Sequence, residues 1–472
     1  MSPKHPLLNA GSFLAGTVVL SAGVLLLCFN GTNVAKEPYQ GVTTPPVAGG
    51  FPPPQIDGKI PVVIPPHDTS LSPEKARPFF DSFSWQSFIA LNWPAAKGVR
   101  GVPDQPDNPK VFQSAPNGTP VVWGTYKDSF DLFGQSDQRP SSWESMQSPV
   151  AECPDKPDAP KVFARLSKGD SVLQDLNEAF SFPLIDQNKN YVWYEVRYNK
   201  AFYNFVRGTD NAPKTWLYLL RNLAPAEPVS MPVSTAPDTV GAMMIKAAWR
   251  EVTPADDQSR YYVVQAEVMD PVTKKCAPKS MALVGLHIVQ KLTDFPEWIW
   301  STFEQVNNVQ RGPGSTPATP ISFNNGTDNP QTVNGFANRP TKKAPIIIPK
   351  DERTPVQVTR LNPIPTTPAG GSTVDLNAAY AQALQGTVWS HYELVETQWP
   401  SDPGNFKTME TGGVYPANCG TAFPANGVTN TTMETYFQAA SDAAGAGGNS
   451  CMSCHYRAGQ SDFSWGLMRR AH

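Results

Sequence analysis

A five-residue motif near the carboxyl end of the chain, Cys451-Met452-Ser453-Cys454-His455, constrains the fold more than any other feature of the sequence. This CxxCH pattern is the attachment motif of c-type haem. The thiols of Cys451 and Cys454 can form thioethers to the two porphyrin vinyl groups, and the His455 imidazole can bind the iron as proximal ligand. The fold is therefore expected to enclose haem c with its iron.

Two other interpretations of a CxxC sequence are a thioredoxin-like redox pair and half of a zinc site. A redox pair is expected in a βαβ context, and a zinc site is expected to have a second ligand pair at short spacing. The nearest other cysteine, Cys419, stands alone in the sequence. The pattern therefore favours covalent haem.

The motif lies unusually late, because only seventeen of the 472 residues follow His455. In most small haem c domains the motif lies near the beginning, and the distal ligand lies far downstream. Here the distal ligand must come from the last residues, from a helix before the motif, or from the larger body. We therefore expect the body to supply much of the pocket.

The distal iron ligand is expected to be a thioether or an imidazole. Met433 is the first choice, because a capping-box pattern at Thr431 and Glu434 predicts a helix just before the motif, running to about residue 444. A haem without a distal protein ligand is the alternative, since methionines usually fill cores and single histidines are usually structural. The other candidates, in order, are Met468, Met409, His391 and His287. Three arginines could pair with the haem propionates, or could form a solvated C-terminal cluster: Arg457, Arg469 and Arg470.

The first 29 residues predict export. Residues 10–29 carry no charge and follow Lys4 and His5. Their length suits a membrane span and slightly exceeds the hydrophobic region of a typical signal peptide. A retained anchor in the inner membrane and a removed signal peptide both stay open. Either one places the rest of the chain in the periplasm, where bacteria attach c-type haem.

Three further segments are predicted. Residues 30–70 form a stiff proline-rich linker, for which a disordered arm is an equally compatible description. Residues 71–400 form a β-rich body, and residues 401–472 form the haem-binding segment. The chain has 49 prolines and only 17 % charged residues, which is typical of strands and long ordered loops. A net charge of −3 without a long basic run excludes a nucleic-acid partner.

The body is predicted to be α+β, with an antiparallel sheet and the C-terminal helical haem segment packed on it; a sandwich is one arrangement that fits. Apolar residues at helical spacing predict a helix over 80–91, which ends before Pro94. A second helix is predicted over 374–385. A strand-like run, a polar turn and a second strand-like run predict a hairpin within 183–198. Other strands are predicted at 121–126, 243–252, 261–269, 281–291, 298–303 and 387–399.

The remaining cysteines suit an oxidising compartment. Of six, two belong to the motif and Cys28 lies in the leader. Cys153, Cys276 and Cys419 remain, so one disulfide and one thiol are expected. The sequence does not choose the pair.

Several stretches carry a family resemblance: 83–94, 285–289, 298–304, 431–436 and 450–455. Through them the chain resembles the c-type cytochromes. More closely, it is similar to the large, mostly uncharacterised monohaem cytochrome c family proteins of Gram-negative bacteria. The resemblance implies Cys451 and Cys454 as thioether anchors and His455 as proximal iron ligand. It implies no particular reaction.

The functional expectation is a periplasmic monohaem c-type cytochrome that transfers single electrons to or from a redox partner protein. The alternative is a haem enzyme or sensor, of a peroxidase or small-ligand-binding type, with an open distal site. The sequence shows neither a nucleotide-binding fingerprint nor a metalloprotease motif. Whether the protein is an enzyme stays open.

Overall fold

The computed structural model describes most of the chain after residue 49. Its described ranges are 50–133, 139–145, 153, 161–163, 183–208, 229–309, 321–326, 348–404, 422–425, 427–438, 450–455, 458 and 461–470. All of them belong to one compact unit, Thr44–His472. The predicted anchor or signal peptide, residues 1–29, lies outside these ranges. Within them, no helix has the length and apolar character needed to cross a membrane.

The described strands form a mostly antiparallel sheet, which confirms the predicted β-rich α+β body. They are β1 Lys127–Asp128, β2 Val162–Phe163, β3 Trp193–Tyr198, β4 Met243–Glu251, β5 Val263–Met269, β6 Cys276–Gln290, β7 Ile299–Gln305, β8 Tyr392–Pro400 and β9 Ala422–Phe423. The main order is β1-β3-β4-β6-β7-β8-β9, with β5 on the first half of β6 and β2 parallel to β5. These strands form one sheet instead of a two-sheet sandwich, because the fifteen-residue β6 pairs with β4, β5 and β7.

Within the described ranges the helices are few and mostly short. They are α1 Pro73–Leu91, α2 Pro109–Gln113, α3 Ser129–Phe133, α4 Lys200–Arg207, α5 Thr373–Ala383, α6 Cys451–His455 and α7 Trp465–Arg470. The helices predicted from periodicity near 80–91 and 374–385 are confirmed as α1 and α5. The strand predicted at 121–126 is wrong. A 3-10 turn, Trp123–Thr125, forms there instead, because Trp123 turns into the core and donates its indole N–H to Asn92 Oδ1.

The aromatic stripe of α1 covers one face of the sheet. Phe88 stacks on Phe303 of β7 with ring centroids 4.4 Å apart, and Trp85 meets the same ring edge-on at 5.1 Å. Ser84 Oγ lies 2.7 Å from the hydroxyls of Ser301 and Thr397. The stripe is therefore core, and the opposite face of the sheet is left for the C-terminal segment.

Part of the predicted linker belongs to the folded body. Within residues 50–70, Val62 and Ile64 are buried. The Gln290 side chain donates to the Pro61 carbonyl at 2.6 Å. Residues 30–49 lie outside the described ranges. The proline-rich character of 50–70 therefore accompanies an extended segment packed on the body.

The helix predicted from Thr431 is wrong over its described part, because 431–438 form turns. Thr431 does not cap a helix, because its N–H and hydroxyl both donate hydrogen bonds to Glu304, a buried carboxylate of β7. Glu434 in turn accepts from the Asn430 N–H at 2.8 Å, instead of from Thr431. The predicted remainder, 439–444, lies outside the described residues.

A disulfide joins Cys153 to Cys276 at the start of β6. It connects positions 123 residues apart. Cys419, the third cysteine of the odd set, lies outside the described residues. The disulfide decides the pairing that the sequence left open.

Removing this disulfide is expected to lower the free energy of unfolding by about 2–5 kcal/mol, because the unfolded chain regains the freedom of a long closed loop. The change is a C153A/C276A double variant, and the measurement is urea unfolding with and without dithiothreitol. The wild type should lose stability in the reductant, whereas the double variant should not respond. Equal stability of the wild type in both conditions would contradict the prediction.

A buried ion cluster on β3 makes the fold acid-sensitive. Glu195 lies 2.5 Å from Lys161 Nζ and 2.7 Å from Arg197 Nε. It also accepts from the Trp249 indole at 2.8 Å. Burial alone would raise the pKa of Glu195, but the two cations outweigh burial and hold that pKa at about 2, against an ordinary value of 4.5.

Because the pKa of Glu195 is lower in the folded chain, its stabilisation is complete above about pH 4.5 and disappears as the pH falls towards 2. This contribution is about 3 kcal/mol at neutral pH. Glu195→Gln should therefore be less stable at pH 7 and lose less stability than the wild type between pH 4.5 and 2, measured by urea unfolding. Glu251→Gln, at a partly exposed pair with Lys279, is the control and should behave as wild type. Parallel acid profiles of wild type and Glu195→Gln would contradict the assignment.

Candidate functional site

The CxxCH motif forms the short helix α6. Cys451, Cys454 and His455 stand at positions i, i+3 and i+4 and therefore share one side of the helix. Met452 is fully buried in the main core, and its N–H donates to Gln398 Oε1 of β8 at 2.7 Å. Met452 therefore anchors α6 on the sheet. Neither motif cysteine forms a disulfide with a described residue.

A reciprocal pair of serines starts α6. Ser450 Oγ accepts from the Ser453 N–H at 3.3 Å, and Ser453 Oγ accepts from the Ser450 N–H at 3.1 Å. Such reciprocal caps satisfy backbone donors that a helix leaves unpaired at its first turn. The interior residues of the motif, Met452 and Ser453, therefore hold the helix in place.

The His455 imidazole has a defined tautomer. Its Nδ1 lies 2.8 Å from the Phe463 carbonyl oxygen, which can only accept, so Nδ1 carries the proton. Nε2 then bears the lone pair that a metal ligand needs. The ring lies 4.5 Å from that of Trp300, tilted by 50°. Burial lowers the pKa of His455 to about 4, and the charges of Lys246 and His287 contribute to this shift in the same direction. The imidazole is therefore neutral at pH 7.

The loop that presents the Phe463 carbonyl is held by the body. Asp462 and Phe463 have φ of 52° and 61°, in the left-handed region that side chains disfavour. The buried Asp462 carboxylate forms an ion pair with Lys291 and accepts from the Trp298 indole at 3.1 Å and the Met231 N–H at 2.6 Å. These contacts stabilise a backbone shape that would otherwise be unfavourable.

A row of polar side chains crosses the sheet beside α6. Lys246 of β4 pairs with His287 of β6, and His287 pairs with Thr302 of β7. Trp300, on which His455 lies, pairs with Val289, two residues from His287. His287 and Trp300 are therefore diagonal neighbours on one face of the sheet. This register brings the region of His455 next to His287.

Segment 427–438 closes over the same face. Asn430 Nδ2 donates to Thr302 Oγ1 at 3.0 Å and to the Phe303 carbonyl at 2.9 Å. At Gly285 an added Cβ would lie 2.3 Å from Thr432 Oγ1, so only glycine allows this close approach. Four of the stretches that carry the family resemblance, 285–289, 298–304, 431–436 and 450–455, therefore meet at one place.

A carboxylate with only 15 % of its side chain exposed, Glu434, lies next to the row. Its Oε2 is 3.4 Å from His287 Nε2. Burial would raise the pKa of Glu434, but His287 and Lys246 outweigh burial and lower it. The Cys451 thiol has the opposite shift: burial, together with Glu434 and Cys454, raises its pKa. Cys451 is therefore a neutral thiol and Glu434 an anion at neutral pH.

The structure separates the distal-ligand candidates. Met433 is fully buried in a core cluster with Leu184, Val192 and Tyr194. His391 precedes β8 and lies seven residues before Gln398, roughly 23 Å along the strand. His287 lies on the face that receives α6. Met409, Arg457 and the side chains of Met468, Arg469 and Arg470 fall outside the described residues.

Several residues of the site were missed by sequence reasoning: Lys246, Lys291, Trp298, Trp300 and Asp462. A usable signal existed for Lys246, which follows three apolar residues at the start of β4. A buried polar side chain is costly unless it is partnered, so such positions deserve a functional hypothesis. Asp462 gave no such signal, since only tertiary contact with Lys291 and Trp298 distinguishes it.

Comparison of the chain with protein families, curated protein sequences and solved structures found no match. Within the described ranges, no set of three or more His, Cys, Asp or Glu side chains is grouped to hold a bare metal ion.

Replacing Asp462 by Asn is expected to lower the free energy of unfolding by about 3–5 kcal/mol, because Lys291 would stay buried without its counter-ion. Lys291 is only 2 % exposed. The measurement is urea unfolding of the full chain at pH 7. Asp294→Asn, at an exposed position near Lys291, is the control and should change stability little. A loss for Asp462→Asn no larger than that of the control would disprove the structural role.

Proposed function

We propose that this chain is a periplasmic monohaem c-type cytochrome that transfers single electrons. The observation that carries the proposal is the arrangement on α6: the Cys451 and Cys454 thiols share one side of the helix with His455. The Phe463 carbonyl holds the proton of His455 on Nδ1. Metal-binding histidines are typically oriented in this way by a hydrogen bond from their other ring nitrogen.

The residues fit a covalently attached haem. Cys451 and Cys454 would hold the vinyl edge of the ring through thioethers, and His455 Nε2 would bind the iron. A further imidazole nitrogen, His287 Nε2, lies 3.4 Å from Glu434 Oε2, on the sheet face that receives α6. Bound haem iron supplies a reversible one-electron change between ferrous and ferric states. The sheet and segment 427–438 would exclude water around it.

Two features support export. The Cys153–Cys276 disulfide is of the kind that persists in oxidising compartments. The uncharged residues 10–29 are suited to a signal peptide or to a tether in the inner membrane. A periplasmic carrier of single electrons requires a redox partner protein, and we include such a partner in the proposal.

A second candidate function is a haem enzyme or sensor with an open distal site. The observation that favours it is the pair of His287 and Glu434, 3.4 Å apart and largely shielded from solvent on the sheet face that receives α6. An imidazole next to a carboxylate can act in proton transfer when a small ligand binds. The two functions differ in whether the iron would have a coordination position open to an external ligand.

The test of the proposal is covalent haem in the protein produced with a c-type haem maturation system. The wild type should keep haem through denaturing electrophoresis, and a C451A/C454A double variant should not. Cys419→Ala, which removes a cysteine outside the motif, should keep haem as the wild type does. Haem that survives denaturation in the double variant, or its absence from the matured wild type, would overturn covalent attachment.

Absorption spectra with and without carbon monoxide then separate the two functions. A low-spin spectrum that carbon monoxide leaves unchanged supports electron transfer. Rapid binding of carbon monoxide to a high-spin haem would favour the enzyme or sensor instead.

A further inference from the structure

We infer that His287, on the central strand β6, is the second axial ligand of the iron, in place of Met433. This inference rests on the proposed function and specifies its site. A six-coordinate iron would then have imidazoles on both sides, one from the C-terminal motif and one from the sheet.

The position of His287 is the first argument. Its strand pairs with β4 on one side and with β7 on the other over this stretch, so its backbone is fixed by two ladders. Trp300 and Gln398 are paired across β7 and β8, and they contact His455 and Met452 of α6. The next pair of residues on the same face of the sheet is His287 and Thr302. The sheet therefore presents this imidazole towards the helix that carries the proximal ligand.

The weakly held nitrogen of His287 is the second argument. Nε2 is shielded from solvent and makes no hydrogen bond of good geometry with the described residues. Its charged neighbour is Glu434, whose Oε2 lies 3.4 Å away, beyond the usual length of a hydrogen bond. Nε2 is therefore held only by this long ion pair, and the neutral imidazole can give its Nε2 lone pair to the iron.

The surroundings of His287 are rigid, as ligation requires. Glu434 is oriented by the Asn430 N–H, and Asn430 is itself held by Thr302 and the Phe303 carbonyl. Gly285, two residues before His287, allows segment 427–438 to approach β6 closely. Each of these contacts joins the sheet to the C-terminal part of the chain.

The thioether donors near the site have other roles. Met433 fills the cluster around Leu184 and Val192, and Met452 anchors α6 in the main core. Met244 pairs with Val289 on the same face, and its side chain is packed in the main core. Met433 and Met244 are the competitors that the experiment must eliminate.

The first measurement needs no variant: near-infrared magnetic circular dichroism of the ferric wild type separates two imidazole ligands from imidazole plus thioether. We expect the signature of two imidazoles. A thioether signature, or a high-spin five-coordinate iron, would overturn the inference while leaving the proposed covalent haem intact. Absence of covalent haem from the matured wild type would overturn the proposed function itself, so the two failures are distinguishable.

The second measurement compares His287→Ala with Met433→Leu and Met244→Leu, which remove sulfur and nearly keep side-chain volume. His287→Ala should become high-spin, bind carbon monoxide and return to low spin when imidazole is added. Met433→Leu, Met244→Leu and the distant His391→Ala should keep the wild-type spectrum. A low-spin His287→Ala protein without added imidazole, or a change to high spin in either leucine variant alone, would overturn the assignment.

Discussion

The pairing of β6 on both of its edges is the constraint on which the structure depends. This strand joins β4 to β7, receives β5 along its first half and starts at the cysteine of the disulfide. It also carries Gly285 and His287, and the buried Lys291 follows directly after it. A central strand has little freedom to move, because its backbone groups are bonded on both sides. The same ladders that stabilise the fold therefore position the candidate site.

The candidate site groups polar side chains on the face of the sheet that receives α6. Lys246, His287, Thr302 and Glu434 are grouped beside α6, and the Asp462–Lys291 pair lies behind the loop of Phe463. Such burial is costly in free energy unless each group is partnered. Two successive left-handed residues add to this cost. Unfavourable features of this kind tend to persist at functional sites, where the surrounding structure holds them in place.

Sequence patterns predicted the regular elements well where local and tertiary preferences agree. The stripe of α1 and the strands β4 to β7 follow from local patterns. The strand predicted at 387–399 is confirmed only from Tyr392, because Val388–His391 forms a 3-10 turn. Two other local predictions were wrong for one reason, which is that a buried partner competed with the local signal. The strand-like run at 121–126 forms a 3-10 turn because the buried Trp123 indole donates a hydrogen bond to Asn92. Glu304 took the hydrogen bonds that a helix start at Thr431 would have used locally.

The sequence by itself determined the CxxCH spacing, the uncharged run 10–29 and the odd number of remaining cysteines, because each can be read from the order of residues without their contacts. Only the tertiary structure decided which cysteines pair, which carbonyl orients His455, and that His287 instead of His391 lies beside α6. These are contacts between residues far apart in sequence, set by strand register and packing. A shift of one residue in the register of β6 would turn His287 to the opposite face, and no local pattern reports that register.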